Sequence, residues 1–166
     1  MKKVGVVLGS KSDFPIAEKA LGILREFEVP FEVRILSAHR CPEEARDYAS
    51  AAREGGFSVL IAFAGMAAHL AGALAANTTL PVIGVPCKGS CFDGMDALLS
   101  TVMMPSGIPV ATVAVNGGAN AALLAVEIIA AADDGLAAKL AEYRAKATQA
   151  VLDTDKEYRE TYSSLE

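Results

Sequence analysis

Apolar residues along this chain fall into two alternating rhythms. Short runs at Lys3–Leu8, Phe31–Leu36, Phe57–Phe63, Pro81–Val85 and Ile108–Val115 read as strands. The stretches between them carry apolar residues at helical spacing. In Asp13–Phe27, for example, Ile16, Ala20, Ile23, Leu24 and Phe27 share one face. Further helices are expected at Glu43–Arg53, closed by Gly55-Gly56, at Met66–Ala76, at Gly94–Met104, ending at Pro105, and at Ala119–Ala132. Strands that are apolar on both faces belong to a parallel sheet covered by helices. With right-handed crossovers the expected fold is an α/β, three-layer doubly wound (flavodoxin-like) domain with strand order 2-1-3-4-5.

After Asp133-Asp134-Gly135 a further amphipathic helix is expected, with Leu136, Leu140, Tyr143, Ala147 and Val151 on one stripe. That stripe either packs on its own domain or reaches a neighbouring subunit. Beyond Leu152 the pattern weakens and fraying is expected. Residues 1–132 are read as the α/β domain. Residues 133–166 are read as a C-terminal helix and tail of the same domain, making subunit contacts. The uncharged stretch Val59–Cys87 is long enough for a membrane span. Gly65, Gly72, Asn77-Thr78-Thr79 and Pro81 interrupt it, so a buried strand, a short helix and a second buried strand are expected instead.

At 166 residues the chain fits one domain with a full core. Its hydrophobic share of 52% is alanine-rich and points to extra buried surface, hence subunit contacts. The net charge is −5, and the segment from Asp133 onward holds eight acidic and five basic residues. No basic stripe argues for nucleic acid, and no basic amphipathic helix argues for a membrane surface. The chain enters a strand directly after Met1-Lys2-Lys3, and Val4–Leu8 is too short for a signal-peptide core. A cytoplasmic protein is expected, with Cys41, Cys87 and Cys91 as reduced thiols.

Candidate chemistry gathers at three strand ends, where open α/β sheets bind ligands. The first reads Gly9-Ser10-Lys11-Ser12-Asp13: a tight turn with two hydroxyls and exposed amides, suited to an anion. It matches neither the Walker loop nor Gly-x-Gly-x-x-Gly. Equally, Ser12 or Asp13 could simply cap the helix. The second end gives Ser37-Ala38-His39-Arg40. His39 is the residue type suited to proton transfer, and Arg40 has the planar fork that suits phosphate. The competing reading is a loop histidine beside an arginine paired with Glu43 or Glu44. The third end is Ala64-Gly65-Met66-Ala67-Ala68-His69-Leu70, whose small residues let a ligand approach the backbone and whose helix start offers free amides. His69 is either a ligand contact or a histidine bonded within a helix interface.

Other constellations are weaker. Cys87 and Cys91, with Cys41 and His39, could be imagined around zinc, but the spacing is loose and no second ligand pair exists. No metal is expected. Nothing marks Cys41 as a stabilised thiolate.

Taken together and in order, these segments resemble the PurE family, the N5-carboxyaminoimidazole ribonucleotide mutases and related aminoimidazole ribonucleotide carboxylases. The resemblance runs through Gly9–Asp13, Ser37–Arg40 and Ala67–Leu70. It continues through Leu80-Pro81-Val82-Ile83-Gly84-Val85-Pro86, Met104–Val110 and Ala119–Leu124. It implies a purine-pathway enzyme that moves a carboxylate from the exocyclic nitrogen of a ribonucleotide to a ring carbon. It also implies a homo-octamer and no metal or organic cofactor. By position, His39 is the implied general acid/base. Ser12, Ser37 and Arg40 hold the phosphate, and Asp13 the ribose hydroxyls. Ser10 and the Gly65–Ala67 backbone face the migrating carboxylate. His69 resembles the mutase branch, whose loop carries a histidine there.

Three positions depart from the commonest pattern of that branch: Met66 stands where glycine is usual, Ala71 where proline is usual, and Cys41 where threonine is usual. They keep a direct carboxylase in view as the alternative. A non-enzymatic phosphate or nucleotide binder must also be weighed. A phosphoacceptor receiver would need acidic residues where Gly9-Ser10 and Ala64-Gly65 stand. A flavin carrier would need aromatic flanks that this chain, with no tryptophan, does not supply.

Overall fold

The structure is a computed structural model describing residues 2–89 and 91–162. The chain divides into two compact units, Met1–Ile129 and Ala130–Glu166. The first is built on five parallel strands in the order β2-β1-β3-β4-β5: β1 (Lys3–Leu8), β2 (Phe31–Ile35), β3 (Phe57–Gly65), β4 (Val82–Cys87) and β5 (Ala111–Thr112). Between and after them run α1 (Phe14–Glu26), α2 (Pro42–Ala51), α3 (Leu70–Ala75), α4 (Met95–Val102) and α5 (Gly118–Ala130). The expected doubly wound topology is the observed one.

The two-sided apolar strands are buried on both faces. Val7, Leu60, Ala62 and Val82 meet Ala45 and Ala49 of α2 and Leu70, Ala71 and Leu74 of α3 in one core cluster. Phe63 points to the other face, where the start of α5 lies against it and against the Ile16 carbonyl of α1. Fully burying a large aliphatic side chain contributes about 1.5–3 kcal/mol, so β1 and β3, which are almost wholly buried, hold the fold at its centre. Val59–Cys87 forms β3, α3 and β4, and among the described residues no helix is long and apolar enough to cross a membrane.

Two elements of this unit are shorter than their patterns predict. β5 covers only Ala111–Thr112 of the expected Ile108–Val115, pairing with Ile83 and Gly84. Pro109 has no N–H to give a ladder, which limits pairing on that side. Helix α3 begins at Leu70 rather than Met66, because Met66 takes a left-handed conformation (φ 56°) that no right-handed helix admits.

The second unit is dominated by α6 (Asp134–Tyr162). Asp133 starts it by accepting the Leu136 N–H at 3.0 Å. The fraying expected beyond Leu152 is not seen, and the helix continues to Tyr162. Pairs one turn apart support that extension: Gln149 with Asp153, Arg159 with Asp155 and Lys156 with Glu160.

Candidate active site

The carboxyl ends of β1, β2 and β3 are held level by hydrogen bonds that extend the ladders past the strands. The Leu36 N–H donates to the Leu8 carbonyl at 2.8 Å, and the Gly9 N–H to the Phe63 carbonyl at 2.8 Å. The three loops that follow therefore open onto one cavity of about 710 Å³. All nine residues singled out from the sequence line it: Ser10, Ser12, Asp13, Ser37, His39, Arg40, Gly65, Ala67 and His69. A larger cleft of about 910 Å³ lies at the opposite, amino end of β4 and β5. Its arginine, Arg53, is already bonded to the Thr79 hydroxyl and carbonyl.

The first loop is a 3-10 turn, Lys11–Asp13, closed by a reciprocal capping box. The Ser10 hydroxyl accepts the Ser12 N–H at 3.3 Å, and the Asp13 carboxylate accepts the Ser10 N–H at 2.9 Å. Ser12 donates its hydroxyl to that of Ser10 at 3.0 Å. Asp13 stands at the N-cap of α1, yet its carboxylate turns back to Ser10 and makes no cap bond to that helix. Asp13 thus caps the turn that precedes α1 rather than α1 itself. Asp13 is buried, and burial pushes its carboxyl pKa up, partly offset by the Ser10 N–H and by a hydrogen bond from the Cys87 thiol. Burial, then the charge of Asp13, pushes the Cys87 thiol up to about 12.

The second loop folds around Ser37. The Cys41 N–H donates to the Ser37 carbonyl at 2.9 Å. The Cys41 sulfur also accepts the Ser37 N–H at 3.0 Å. Arg40 turns back rather than toward Glu43 or Glu44: its Nε donates to the Ser37 hydroxyl and its Nη2 to the Gly9 carbonyl, each at 3.4 Å. These long bonds hold a guanidinium, a serine hydroxyl and the β1 turn at one corner, a geometry suited to a phosphate.

The third loop brings the two histidines together. Nε2 of His39 lies 2.7 Å from Nδ1 of His69, with the rings edge to face. His69 is bonded to a histidine of the neighbouring loop rather than within a helix interface, and it lines the cavity. Helix α3 starts only at Leu70, so the helix-start amides expected here lie beyond the Gly65–Ala67 segment.

Sequence reasoning passed over Lys88 and Gly89, which line the same cavity from the loop after β4. Their signal was available, since they occupy the carboxyl end of a fourth parallel strand. Among the described residues, no three His, Cys, Asp or Glu side chains are placed to hold a metal ion.

Comparison with known proteins places this geometry. The sequence profile of the AIR carboxylase family matches residues 3–150. The N5-carboxyaminoimidazole ribonucleotide mutase of Pyrococcus abyssi is 52% identical over 144 residues, covering 87% of this chain and 83% of that protein. The phosphoribosylaminoimidazole carboxylase of Saccharomyces cerevisiae is also 52% identical, over 149 residues, but there the chain matches 26% of a much longer protein. The crystal structure of Treponema denticola PurE superposes with a TM-score of 0.85 at 29% identity, over 95% of this chain and 98% of that one. With the profile spanning nearly all of β1 through α6 and the same fold recurring in PurE, the chain belongs to the AIR carboxylase family.

Proposed function

We propose that this protein is a mutase converting N5-carboxyaminoimidazole ribonucleotide to 4-carboxy-5-aminoimidazole ribonucleotide in purine biosynthesis, with His39 as the acid/base. The observation that carries the reading is the convergence of the phosphate corner, the histidine pair and the small-residue loop on one cavity. Mutase relatives at about half identity over most of the chain support it.

The chemistry needs four things. The ribonucleotide phosphate sits against Ser12, Ser37 and Arg40, and Asp13 takes the ribose hydroxyls. Release of carbon dioxide from the exocyclic nitrogen needs a proton there, which His39 supplies. The freed carbon dioxide stays beside the ring, enclosed by Ser10 and the backbone of Gly65 and Ala67. Attack by the ring carbon leaves a hydrogen on that carbon, and His39 removes it. His69, bonded to His39, keeps that imidazole aimed and exchanges its proton. No metal or organic cofactor enters these steps.

The protein works as a homo-octamer in the cytoplasm on this reading. Self-association is supported by α4 and its flanks, where Phe92, Met95, Leu99, Val102 and Met103 present an apolar stripe, each at least 46% exposed. On α6, Val151, Leu152, Tyr158 and Tyr162 are exposed as well, in keeping with a helix that contributes subunit contacts. A phosphate monoester does not cross a bilayer unaided, so the enzyme meets its substrate where that substrate is made. No nucleic-acid or membrane partner is invoked.

The names of the longer carboxylase relatives favour a second reading, direct carboxylation of aminoimidazole ribonucleotide by carbon dioxide. A paired assay separates the two. The mutase turns over the N-carboxylated ribonucleotide without bicarbonate. Efficient turnover only of the uncarboxylated ribonucleotide with bicarbonate would overturn it. His39→Asn at near wild-type rate would refute the acid/base role.

A further inference from the structure

We propose that Lys88 is the cation that receives the migrating carboxylate, a contact that rests on the mutase reading and adds to it a residue for the second charged end of the substrate. Lys88 directly follows Cys87, the last residue of β4, and Cys87 stands in register with Gly65, the last residue of β3. The Lys88 N–H donates to Asn116 Oδ1 at 2.8 Å, and the Asn116 N–H donates to the Pro86 carbonyl at 2.8 Å. The base of the side chain is therefore fixed to the sheet. Its neighbour Gly89 abuts the third loop, since a Cβ there would lie 3.7 Å from Met66 Cγ. Lys88 thus borders the cavity from the Gly65–Ala67 side, where the carboxylate is handled.

Charge makes the placement matter. The substrate carries a phosphate at one end and a carboxylate at the other. Among the described residues lining the cavity, Arg40 and Lys88 supply the permanent cations. Arg40 is committed to the corner made by Ser37 and the Gly9 carbonyl. That leaves Lys88 for the carboxylate. Its ammonium is paired at present with Asp93, 2.9 Å away, and both side chains are more than half exposed. Such an exposed pair is weak and gives way readily to a better-placed anion. A lysine on a four-carbon stem can turn from Asp93 to the substrate and follow the carboxylate between nitrogen and carbon. The intervening carbon dioxide is neutral and draws nothing from it.

The test compares binding of two ribonucleotides to the full-length enzyme, one bearing the ring carboxylate and one lacking it. Lys88→Met is expected to weaken the carboxylated nucleotide about tenfold while changing the uncarboxylated one less than about twofold. Lys88→Arg is expected to retain most of the discrimination. Asp93→Asn, which releases the ammonium without touching the cavity lining, is expected to leave carboxylated binding equal or tighter. Equal losses for both nucleotides with Lys88→Met, or no loss for either, would overturn the assignment while leaving mutase turnover by the wild type intact. A wild type that binds neither nucleotide would overturn the mutase reading and this contact with it.

Discussion

Nε2 of His39 and Nδ1 of His69 stand 2.7 Å apart, joining a loop after β2 to a loop after β3 across the mouth of the cavity. A contact that short between two ring nitrogens needs one proton between them, so both rings cannot be doubly protonated while it holds. His69 therefore couples the proton on Nε2 of His39 to its own Nδ1, one donating and the other accepting. His69→Ala is expected to lower kcat about tenfold to a hundredfold with KM changed far less. His39→Asn is expected to lose about a thousandfold or more, within the range of general acid–base catalysis. Steady-state kinetics on the N-carboxylated ribonucleotide checks both. A His69→Ala enzyme that loses only KM would show that the contact binds rather than aligns.

The buried carboxyl of Asp13 makes stability depend on pH in a defined direction. Its folded pKa lies above the ordinary 3.8 because burial outweighs the Ser10 N–H and the Cys87 thiol. Between 3.8 and the folded value the native state holds the proton more tightly than the unfolded chain does. The stabilising contribution is therefore complete below 3.8 and is lost as pH rises through the folded pKa. Asp13→Asn keeps an acceptor for Ser10 without the charge. The variant is expected to melt above wild type at pH 7, with the difference closing below pH 3.8. Its KM is expected to rise about tenfold through the lost ribose contact. Melting curves across pH check the first part, and an Asp13→Asn advantage that grows toward acid would reverse the sign.

Much of this was legible because the signals were local. Strand ends, and the loops that follow them, are marked by where apolar runs stop, so Ser10, His39 and Gly65 could be placed on one edge of a sheet without coordinates. The fold followed for the same reason, since runs such as Val59–Phe63 are apolar at every position. What the sequence did not show depends on distance across the chain. Nothing in the twenty-nine residues between His39 and His69 encodes a 2.7 Å contact. The approach of Cys87 to Asp13 depends on β4 lying next to β3. The early end of β5 and the late start of α3 were hidden because apolar content alone does not report backbone angles. The persistence of α6 to Tyr162 came from charged pairs, which an apolar stripe does not register.

Met66 stands where glycine is usual in the mutases this chain resembles, and its φ of 56° shows why glycine suits the position. Its side chain is 70% exposed, so little packing compensates. A left-handed conformation costs a non-glycine residue roughly 1–2 kcal/mol, of which the greater freedom of glycine in the unfolded chain takes back part. Met66→Gly is expected to stabilise the protein by about 0.5–1 kcal/mol, raising Tm by a few degrees in calorimetry. A lower Tm would mean that the methionine makes a stabilising contact that outweighs its strain.

Gly84, in the middle of β4, is a glycine for the opposite reason: its backbone angles are ordinary and the space beside it is full. A Cβ there would run into the Thr101 methyl of α4 and lie 3.0 Å from Val110 Cγ1 and 3.2 Å from Ala71 Cβ. Thr101 cannot easily yield, because it is buried and its hydroxyl donates to the Ala97 carbonyl at 2.7 Å. Gly84→Ala is expected to destabilise the fold by roughly 1–3 kcal/mol, the usual effect of one methyl too many in a packed core. Thr101→Ser removes the clashing methyl and keeps the hydroxyl. Combined with Gly84→Ala it is expected to recover a large part of that loss, giving a favourable coupling in a double-mutant cycle measured by denaturant unfolding. Strictly additive losses would show that α4 relaxes away from β4 rather than colliding through Thr101.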